Sequence, residues 1–232
     1  MTLSGTVATT PAPTWNSIWD EIFSRRDWGK YPKEELIRFV AWNYYSAPDR
    51  SAVRFLDLGC GYGSSAWYLA REGFSVDAID GSAVIVEKLR QRMKSESLTA
   101  RCIAGDIVDL PYPPRTFDCV VDIGCLMCNT PQDTRRILDG VYDRLKPGGK
   151  LFSISATPRC FGFDSGPQVA EATYRDLTVG SFAGTGTVRF STEQQIRDIY
   201  SRFDHLTIGL SEYSLRDPSQ MVSNWLIEGT RA

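Results

Sequence analysis

Histidine is nearly absent from this sequence of 232 residues, which contains only His205. Histidine is the side chain best suited to proton transfer near neutral pH and a common ligand of zinc. His205 lies at the approach to a late predicted strand, where we expect a surface or packing role. The sequence therefore offers no well-placed histidine base, and we predict no metal site.

The sequence also lacks an excess of basic charge and any long apolar run. It contains 26 Lys and Arg against 28 Asp and Glu, a net charge of −2. Nucleic acids and anionic membranes attract basic patches, and a membrane helix needs about 20 apolar residues. We therefore predict no nucleic-acid partner and no membrane partner. Residues 1–13 are rich in Thr, Ala and Pro without a basic start or apolar core, which predicts a disordered tail rather than a signal peptide.

Cysteine is present but shows no disulfide pattern. Most of the six cysteines lie in predicted strands or beside a glycine-rich loop, which favours free thiols in the reducing cytoplasm. Cys125 and Cys128 form a C-x-x-C pair, but a zinc site would need a second pair or histidines. We assign these thiols to packing or to the lining of a pocket. The six are Cys60, Cys102, Cys119, Cys125, Cys128 and Cys160.

A glycine-rich loop follows a short apolar strand. Residues 53–63 read Val-Arg-Phe-Leu-Asp-Leu-Gly-Cys-Gly-Tyr-Gly. Glycine lets backbone N–H groups approach a ligand where a side chain would collide. Ser64 and Ser65 are predicted to cap the helix that follows. Strand, loop and helix start together predict a site for a nucleotide-type cofactor.

The spacing of the glycines distinguishes between cofactors. The dinucleotide pattern G-x-G-x-x-G would need a third glycine at position 64, which is Ser64. The loop instead has Asp57, Gly59, Gly61 and Gly63 at alternate positions. In this it resembles class I S-adenosylmethionine-dependent methyltransferases. The resemblance implies S-adenosylmethionine as cofactor, and an acid near the loop suits the positive charges of that molecule.

The resemblance continues over roughly residues 52–155. Asp80 ends the second predicted strand, about 20 residues after the first glycine, and is placed to accept both ribose hydroxyls. At Gly105-Asp106-Ile107 the resemblance implies that Asp106 binds the adenine amino group and Ile107 packs on the ring. The Leu-Lys-Pro-Gly-Gly segment at 145–149 is also typical of the family. The cofactor-binding residues that we predict are Asp57, Gly59, Cys60, Gly61, Gly63, Asp80, Gly81, Ser82, Asp106, Ile107, Asp122 and Ile123.

Strands and helices alternate through the chain, which predicts an α/β fold. We expect a doubly wound Rossmann-like sheet of seven strands, mostly parallel, with the last strand antiparallel. Residues 14–232 are predicted to form a single methyltransferase domain. Within it, N-terminal helices in residues 14–47 and an insertion at 157–190, after the fifth strand, are predicted to form a lid over the site.

Several local boundaries can also be predicted. Pro32 is expected to be the first residue of the second helix, and Ser191 with Gln194 to form a capping box. The insertion is expected to be irregular, with one short helix near Gln168–Tyr174. The loop between the first two helices, with Trp28, is expected to help form one wall of a substrate pocket.

The resemblance implies methyl transfer by in-line displacement. An alcohol acceptor would need a base to remove its proton so that its oxygen could attack the methyl group. Family members often have a histidine a few residues after the fourth strand, whereas this chain has Cys128 and Asn129 there. The candidate catalytic residues are Tyr31 and Asp122, with Asp164 and Tyr174 as further polar groups. The aromatic start of the chain resembles bacterial small-molecule methyltransferases. We therefore predict O-methylation of a small polar metabolite, with a sugar or a natural-product intermediate among the candidates.

Other functions remain open at this stage. They are a small-molecule N-methyltransferase, a nucleic-acid or protein methyltransferase, a nicotinamide oxidoreductase, and a non-catalytic cofactor-binding module. The segment Asp122-Ile123-Gly124-Cys125 differs from the Asn/Asp-Pro-Pro-Tyr/Phe motif of enzymes that methylate base nitrogens. Ser64 disfavours the oxidoreductase, and the intact acids disfavour the non-catalytic module. We expect a cytoplasmic monomer or homodimer.

Overall fold

The computed structural model describes residue 15, residues 17–25 and residues 29–232. The predicted tail at residues 1–13 and the predicted role of Trp28 lie outside that part of the chain. The described helices are α1 (Ile18–Arg25), α2 (Glu34–Tyr44), α3 (Ser64–Arg71), α4 (Ala83–Ser95), α5 (Pro131–Arg144) and α6 (Glu193–Ile199). The described strands are β1 (Arg54–Leu58), β2 (Ser75–Asp80), β3 (Arg101–Ala104), β4 (Phe117–Ile123), β5 (Leu145–Ala156), β6 (Gln168–Ala170), β7 (Thr173–Arg175), β8 (Thr187–Arg189), β9 (Asp204–Ser214) and β10 (Met221–Thr230).

Seven of these strands form one central sheet in the order β3-β2-β1-β4-β5-β10-β9. Strands β1 to β5 are parallel to one another, while β10 is antiparallel to both β5 and β9. The predicted fold class is confirmed, including the antiparallel last strand. Because β10 runs against the others, its first residues lie at the sheet edge where β1, β2, β4 and β5 end.

Apolar side chains cover both faces of this sheet, as expected for strands buried on two sides. On one face Phe39 of α2 stacks on Phe152 of β5, with ring centroids 4.6 Å apart. On the other face Val141 of α5 and Ile196 of α6 belong to a buried cluster around Leu56. The sheet is therefore covered by α2 on one face and by α5 and α6 on the other.

The helix starts follow local capping chemistry, and three predicted positions are wrong. The second helix begins at Glu34 rather than Pro32, so two acids occupy its first turn, where they favour the helix dipole. The capping box of α6 joins Thr192 to Gln195, one residue later than predicted, because Ser191 pairs with the end of β5 through its backbone. Neither Ser64 nor Ser65 caps α3, whose N-cap is Gly63.

The insertion contains a small sheet instead of the predicted short helix. Strands β6, β7 and β8 form a three-stranded antiparallel sheet in that order. Thr173 and Tyr174 are good strand formers, and Ala172 has a left-handed φ of 49°, which makes the turn between β6 and β7. The helix prediction was wrong because it considered the segment Val-Ala-Glu-Ala alone. In the folded chain β6 pairs with β7 and β7 pairs with β8, and this pairing decides the conformation. None of the described helices has both the length and the apolar character that crossing a membrane requires.

Candidate cofactor and acceptor site

A cavity of about 930 Å³ opens at the carboxyl-end edge of the parallel strands. This is the edge where open α/β sheets bind ligands, and the volume lies at the upper end of the range for small-molecule sites. One end of the cavity is formed by the glycine loop and the end of β2. The other end is formed by the insertion and the start of β10. The cavity can therefore hold a nucleoside cofactor together with a second small molecule.

The glycine loop forms the floor of the first end. Gly59, Gly61 and Gly63 have φ values of 65°, 48° and 70°, a region that side chains with a β-carbon rarely adopt. The backbone N–H of Cys60 donates to the carbonyl of Ile79 at 3.0 Å, which ties the loop to β2. A β-carbon on Gly59 would lie 2.1 Å from Sγ of Cys125. The loop is thus fixed in shape and tightly packed on the segment after β4.

Asp57 connects the loop to the helix that follows. Its Oδ2 accepts a hydrogen bond from the backbone N–H of Ala66 at 3.0 Å, so this acid takes the capping role that had been predicted for Ser64 and Ser65. Burial raises the pKa of Asp57 to about 7, assisted by the negative charges of Asp80 and Asp122 and opposed by the bond from Ala66. A cation bound in the cavity would relieve this cost, and the cofactor that the motif implies carries two cationic groups.

Asp80 lies at the tip of β2 and holds the loop from the other side. Its Oδ2 accepts from the backbone N–H of Gly61, and its Oδ1 accepts from that of Ser82, both at 2.9 Å. Each carboxylate oxygen can accept a second hydrogen bond. Burial raises the pKa of Asp80, and the two backbone donors oppose that rise. The free acceptor positions suit a pair of vicinal hydroxyls such as those of a ribose.

The remaining predicted cofactor residues divide into two groups. Those that line the cavity together with Asp57 and Asp80 are Gly59, Cys60, Gly61, Gly81, Ile107 and Ile123. Gly63, Ser82, Asp106 and Asp122 are not part of the cavity lining. Ser82 caps α4 by accepting from Ile85, and Asp106 accepts from the backbone N–H of Val108 at 3.0 Å.

The structure separates the two predicted catalytic residues. Asp122 has no exposed surface: its Oδ1 accepts from the backbone N–H groups of Cys125 and Leu126, and its Oδ2 accepts from the hydroxyl of Ser153. Burial raises its pKa to about 6. With every contact directed into the protein, Asp122 is placed to organise the loop after β4 rather than to touch a ligand.

Tyr31, by contrast, lines the cavity near its opening and is 68% exposed. Its ring packs edge-on against Trp67, with centroids 5.9 Å apart. The further candidates Asp164 and Tyr174 lie away from the cavity walls. Asp164 is exposed, and the ring of Tyr174 packs against Phe163 and Phe190 in the core of the insertion.

Aromatic side chains of the N-terminal segment cover the cofactor end. Trp15, Trp19 and Phe23 all line the cavity. A β-carbon on Gly81 would lie 2.5 Å from Cγ of Trp15, so this glycine is needed for the indole to approach. The backbone carbonyl of Phe23 accepts from Nζ of Lys88, which fastens α1 to α4. The N-terminal helix therefore forms a wall of the cofactor end.

Sequence reasoning missed most of the cavity end that the insertion and the start of β10 form, which we call the acceptor end. Its walls come from segments that are distant in the chain, and the sequence gives no motif for them. Asn129 was noted only for replacing a histidine. The cavity residues of this end that were not predicted are Lys33, Met127, Asn129, Arg175, Phe182, Thr187, Tyr213, Val222 and Asn224.

The six cysteines are all free thiols in the structure. Burial raises the pKa of Cys60 and Cys125, so neither is a thiolate near neutral pH. Among the described residues, no three His, Cys, Asp or Glu side chains lie together in a way that could hold a metal ion. Cys125 packs against Gly59 of the glycine loop, and both Cys125 and Cys128 line the cavity.

Residues 55–149 match the family model described as a methyltransferase domain. The N-terminal methyltransferase for cypemycin from a Streptomyces species is 33% identical over 129 residues, covering 53% of this chain and 49% of that protein. A fatty-acid O-methyltransferase from Mycolicibacterium smegmatis is 30% identical over 131 residues, covering 54% and 46%. The chain thus spans about half the length of these curated relatives.

Structural comparison agrees with this match. A solved S-adenosylmethionine-dependent methyltransferase from Methanosarcina mazei has a TM-score of 0.64 at 20% identity, over 77% of this chain and 92% of that one. At this level of sequence identity, the structural similarity establishes a shared fold and nothing more. The likeness confirms the fold, and the family match over residues 55–149 agrees with the resemblance found in the sequence.

Proposed function

We propose that this S-adenosylmethionine-dependent methyltransferase methylates an oxygen atom of a small polar metabolite, with a sugar or a natural-product intermediate as candidates. The observation that carries the proposal is one continuous cavity with two chemically different ends. The cofactor end presents the glycine loop and two acids, and the acceptor end presents amide, hydroxyl and cationic side chains. A cavity of about 930 Å³ has room for both reactants side by side.

The residues of the cofactor end fit the proposed ligand. Asp80 has free acceptor positions for ribose hydroxyls, and Asp57 offers a negative charge to the amino group of the methionine part. Ile107 presents a buried apolar surface for the adenine ring. When bound, the cofactor supplies an electrophilic methyl group on a sulfonium.

The protein's own contribution is positioning and removal of water rather than strong base catalysis. Trp19 and Phe23 cover the cofactor end, and Phe182 of the insertion covers the acceptor end. The lid role of these two segments is part of the proposal. Of the predicted bases only the Tyr31 hydroxyl faces the cavity, and its exposure suits contact with solvent at the entrance.

A small-molecule N-methyltransferase is the second candidate. It is favoured by the relative that methylates the cypemycin N-terminus, which is as similar to this chain as the fatty-acid O-methyltransferase. An amine acceptor needs no strong base, which agrees with the buried position of Asp122. We further propose a cytoplasmic enzyme, monomeric or homodimeric, whose residues 14–232 form one domain.

An acceptor screen tests the proposal. The purified chain would be incubated with S-adenosylmethionine and with alcohols, sugars, carboxylic acids, amines and thiols, and formation of S-adenosylhomocysteine would be measured. Mass spectrometry of the product would identify the methylated atom. We expect turnover with an oxygen acceptor. Methylation of nitrogen acceptors alone would favour the second candidate, and methylation of sulfur acceptors alone would reject both. Failure of the folded protein to bind S-adenosylhomocysteine would also reject both.

A further inference from the structure

The charged side chains on the cavity wall are three acids, Asp57, Asp80 and Asp133, and two cations, Lys33 and Arg175. The cofactor end has the carboxylates of Asp57 and Asp80, whereas the acceptor end has the cations Lys33 and Arg175. Asp133 also lines the cavity, but it is held by the hydroxyl of Thr130 at 2.8 Å and by Arg136. In the described part of the chain, neither Lys33 nor Arg175 has a carboxylate oxygen within 4.0 Å. The acceptor end therefore carries two cations without an ion-pair partner.

These cations come from independent elements. Lys33 is the N-cap of α2, and Arg175 ends β7 of the insertion, paired in register with Thr187, which also lines the cavity. Lys33 lines the same cavity as Val222 and Asn224 at the start of β10.

Asn224 supplies the second, independent observation. It follows Ser223 on β10, is only 5% exposed and lines the same cavity. Its carboxamide forms no hydrogen bond with any other described residue. Asn224 is not among the side chains whose unpartnered polar atoms are fully buried, so its amide is accessible from the cavity and free to bind a ligand or water there. An amide offers both a donor and an acceptor, which suits a polar ligand with oxygen atoms.

We infer that the acceptor carries an anionic group, a carboxylate or a phosphate, which Lys33 and Arg175 bind while Asn224 hydrogen-bonds to the same molecule. This inference rests on the proposed function and specifies the substrate class of the same site. An arginine fork matches either anion in two parallel hydrogen bonds, and a lysine adds a compact charge. The opposite sign at the cofactor end keeps such an acceptor from entering the cofactor position.

Binding of simple anions to the complex with S-adenosylhomocysteine tests the inference without a known acceptor. Sodium phosphate and sodium acetate would each be titrated at constant ionic strength against sodium chloride, with the melting temperature as readout. The variants are Arg175→Gln, Lys33→Gln, the double variant and Asn224→Asp. Lys94→Gln, at an exposed lysine of α4, is the matched control.

We expect phosphate or acetate to stabilise the wild-type complex beyond chloride, and the more effective anion identifies the acceptor's anionic group. The apparent dissociation constant should rise at least tenfold in the double variant and in Asn224→Asp, and stay unchanged in Lys94→Gln. No anion-specific shift in the wild type, or an equal shift in the double variant, would overturn the inference. S-adenosylhomocysteine binding serves as the internal check: its loss in the wild type would reject the proposed function, whereas its presence without anion binding would reject this inference alone.

Discussion

The guanidinium of Arg189 donates a hydrogen bond to the backbone carbonyl of Asn129 at 2.7 Å. The same nitrogen donates to Oγ1 of Thr134 at 2.6 Å, and Nε donates to the hydroxyl of Ser191 at 3.1 Å. Arg189 is 1% exposed, and burial lowers its pKa. Through this residue the last strand of the insertion is joined to the loop after β4, whose residue Asn129 lines the cavity.

Replacement of Arg189 tests that connection. Arg189→Met would leave the carbonyl of Asn129 without its donor in a buried place, and we expect a loss of about 1–3 kcal/mol in the free energy of unfolding. Hydrogen exchange in residues 157–190 should accelerate more than in β1. The control is Arg197→Met on the exposed face of α6, which should change stability by less than about 0.5 kcal/mol. Equal effects of the two substitutions would contradict the anchoring role.

Asp80→Ala should weaken cofactor binding. The substitution removes the acceptor proposed for two ribose hydroxyls and also releases the backbone N–H groups of Gly61 and Ser82. Hydrogen bonds to a charged group are worth about 1.5–3 kcal/mol each, so calorimetry should show at least a tenfold rise in the dissociation constant of S-adenosylhomocysteine. Asp109→Ala, at an exposed acid after β3, is the control. Unchanged affinity in folded Asp80→Ala protein would exclude the ribose assignment.

The affinity for S-adenosylmethionine should depend on pH through Asp57. The pKa of this carboxyl is raised to about 7, so it is largely protonated at pH 6 and largely ionised at pH 8. Only the ionised form attracts the cationic cofactor, and linkage of one proton predicts about tenfold tighter binding at pH 8. Asp57→Asn keeps an oxygen for the N–H of Ala66 but cannot ionise, so it should lose this dependence. A pH profile identical to that of the wild type would show that Asp57 does not face the cofactor's charge.

Gly59→Ala should be destabilising for two separable reasons. The positive φ costs about 1–2 kcal/mol for any L-residue, and the new β-carbon would meet the Cys125 side chain. Gly148→Ala isolates the first cost, because Gly148 has a φ of 74° and no atom within 4 Å of an added β-carbon. Urea unfolding should show a larger loss for Gly59→Ala, and Cys125→Gly should restore part of it in the double variant. Additive effects would rule out the steric contact.

Tyr31→Phe should leave most of the activity intact. The ring contact with Trp67 is preserved, and an exposed hydroxyl at the cavity entrance is poorly placed for proton transfer away from water. We expect kcat to change by less than about threefold, because positioning rather than base catalysis supplies the rate. A loss of a hundredfold or more with unchanged cofactor affinity would instead establish Tyr31 as the base.

The sequence was informative where function depends on a local pattern. Glycines at alternate positions and an acid at the tip of β2 need only a few consecutive residues, so the cofactor end could be predicted residue by residue. The helix start at Thr130 was also predictable, because capping is local chemistry. The burial of Asp122 could not be predicted, because its partner Ser153 becomes a neighbour only through the pairing of β4 with β5.

The acceptor end could not be predicted for the same reason. Neither Asn224 nor Arg175 belongs to a recognisable sequence motif. They line the same cavity only because β10 lies between β5 and β9 and because β7 pairs with β8. The prediction of a helix near Gln168–Tyr174 was wrong for the same reason. Pairing with neighbouring strands decides the conformation of this short segment, whose residues include both helix formers and strand formers.

The reversed direction of β10 divides the chain into parts that can change independently. Val222 and Asn224 near the start of β10 line the proposed acceptor end of the cavity, while Ile227 further along packs in the core. The glycine loop follows β1, which lies three positions from β10 in the sheet. Natural variation or laboratory selection confined to residues 157–190 and 221–224 could therefore alter acceptor preference while the cofactor loop stays intact. In this architecture one methyl donor can serve many acceptors by exchange of two short segments.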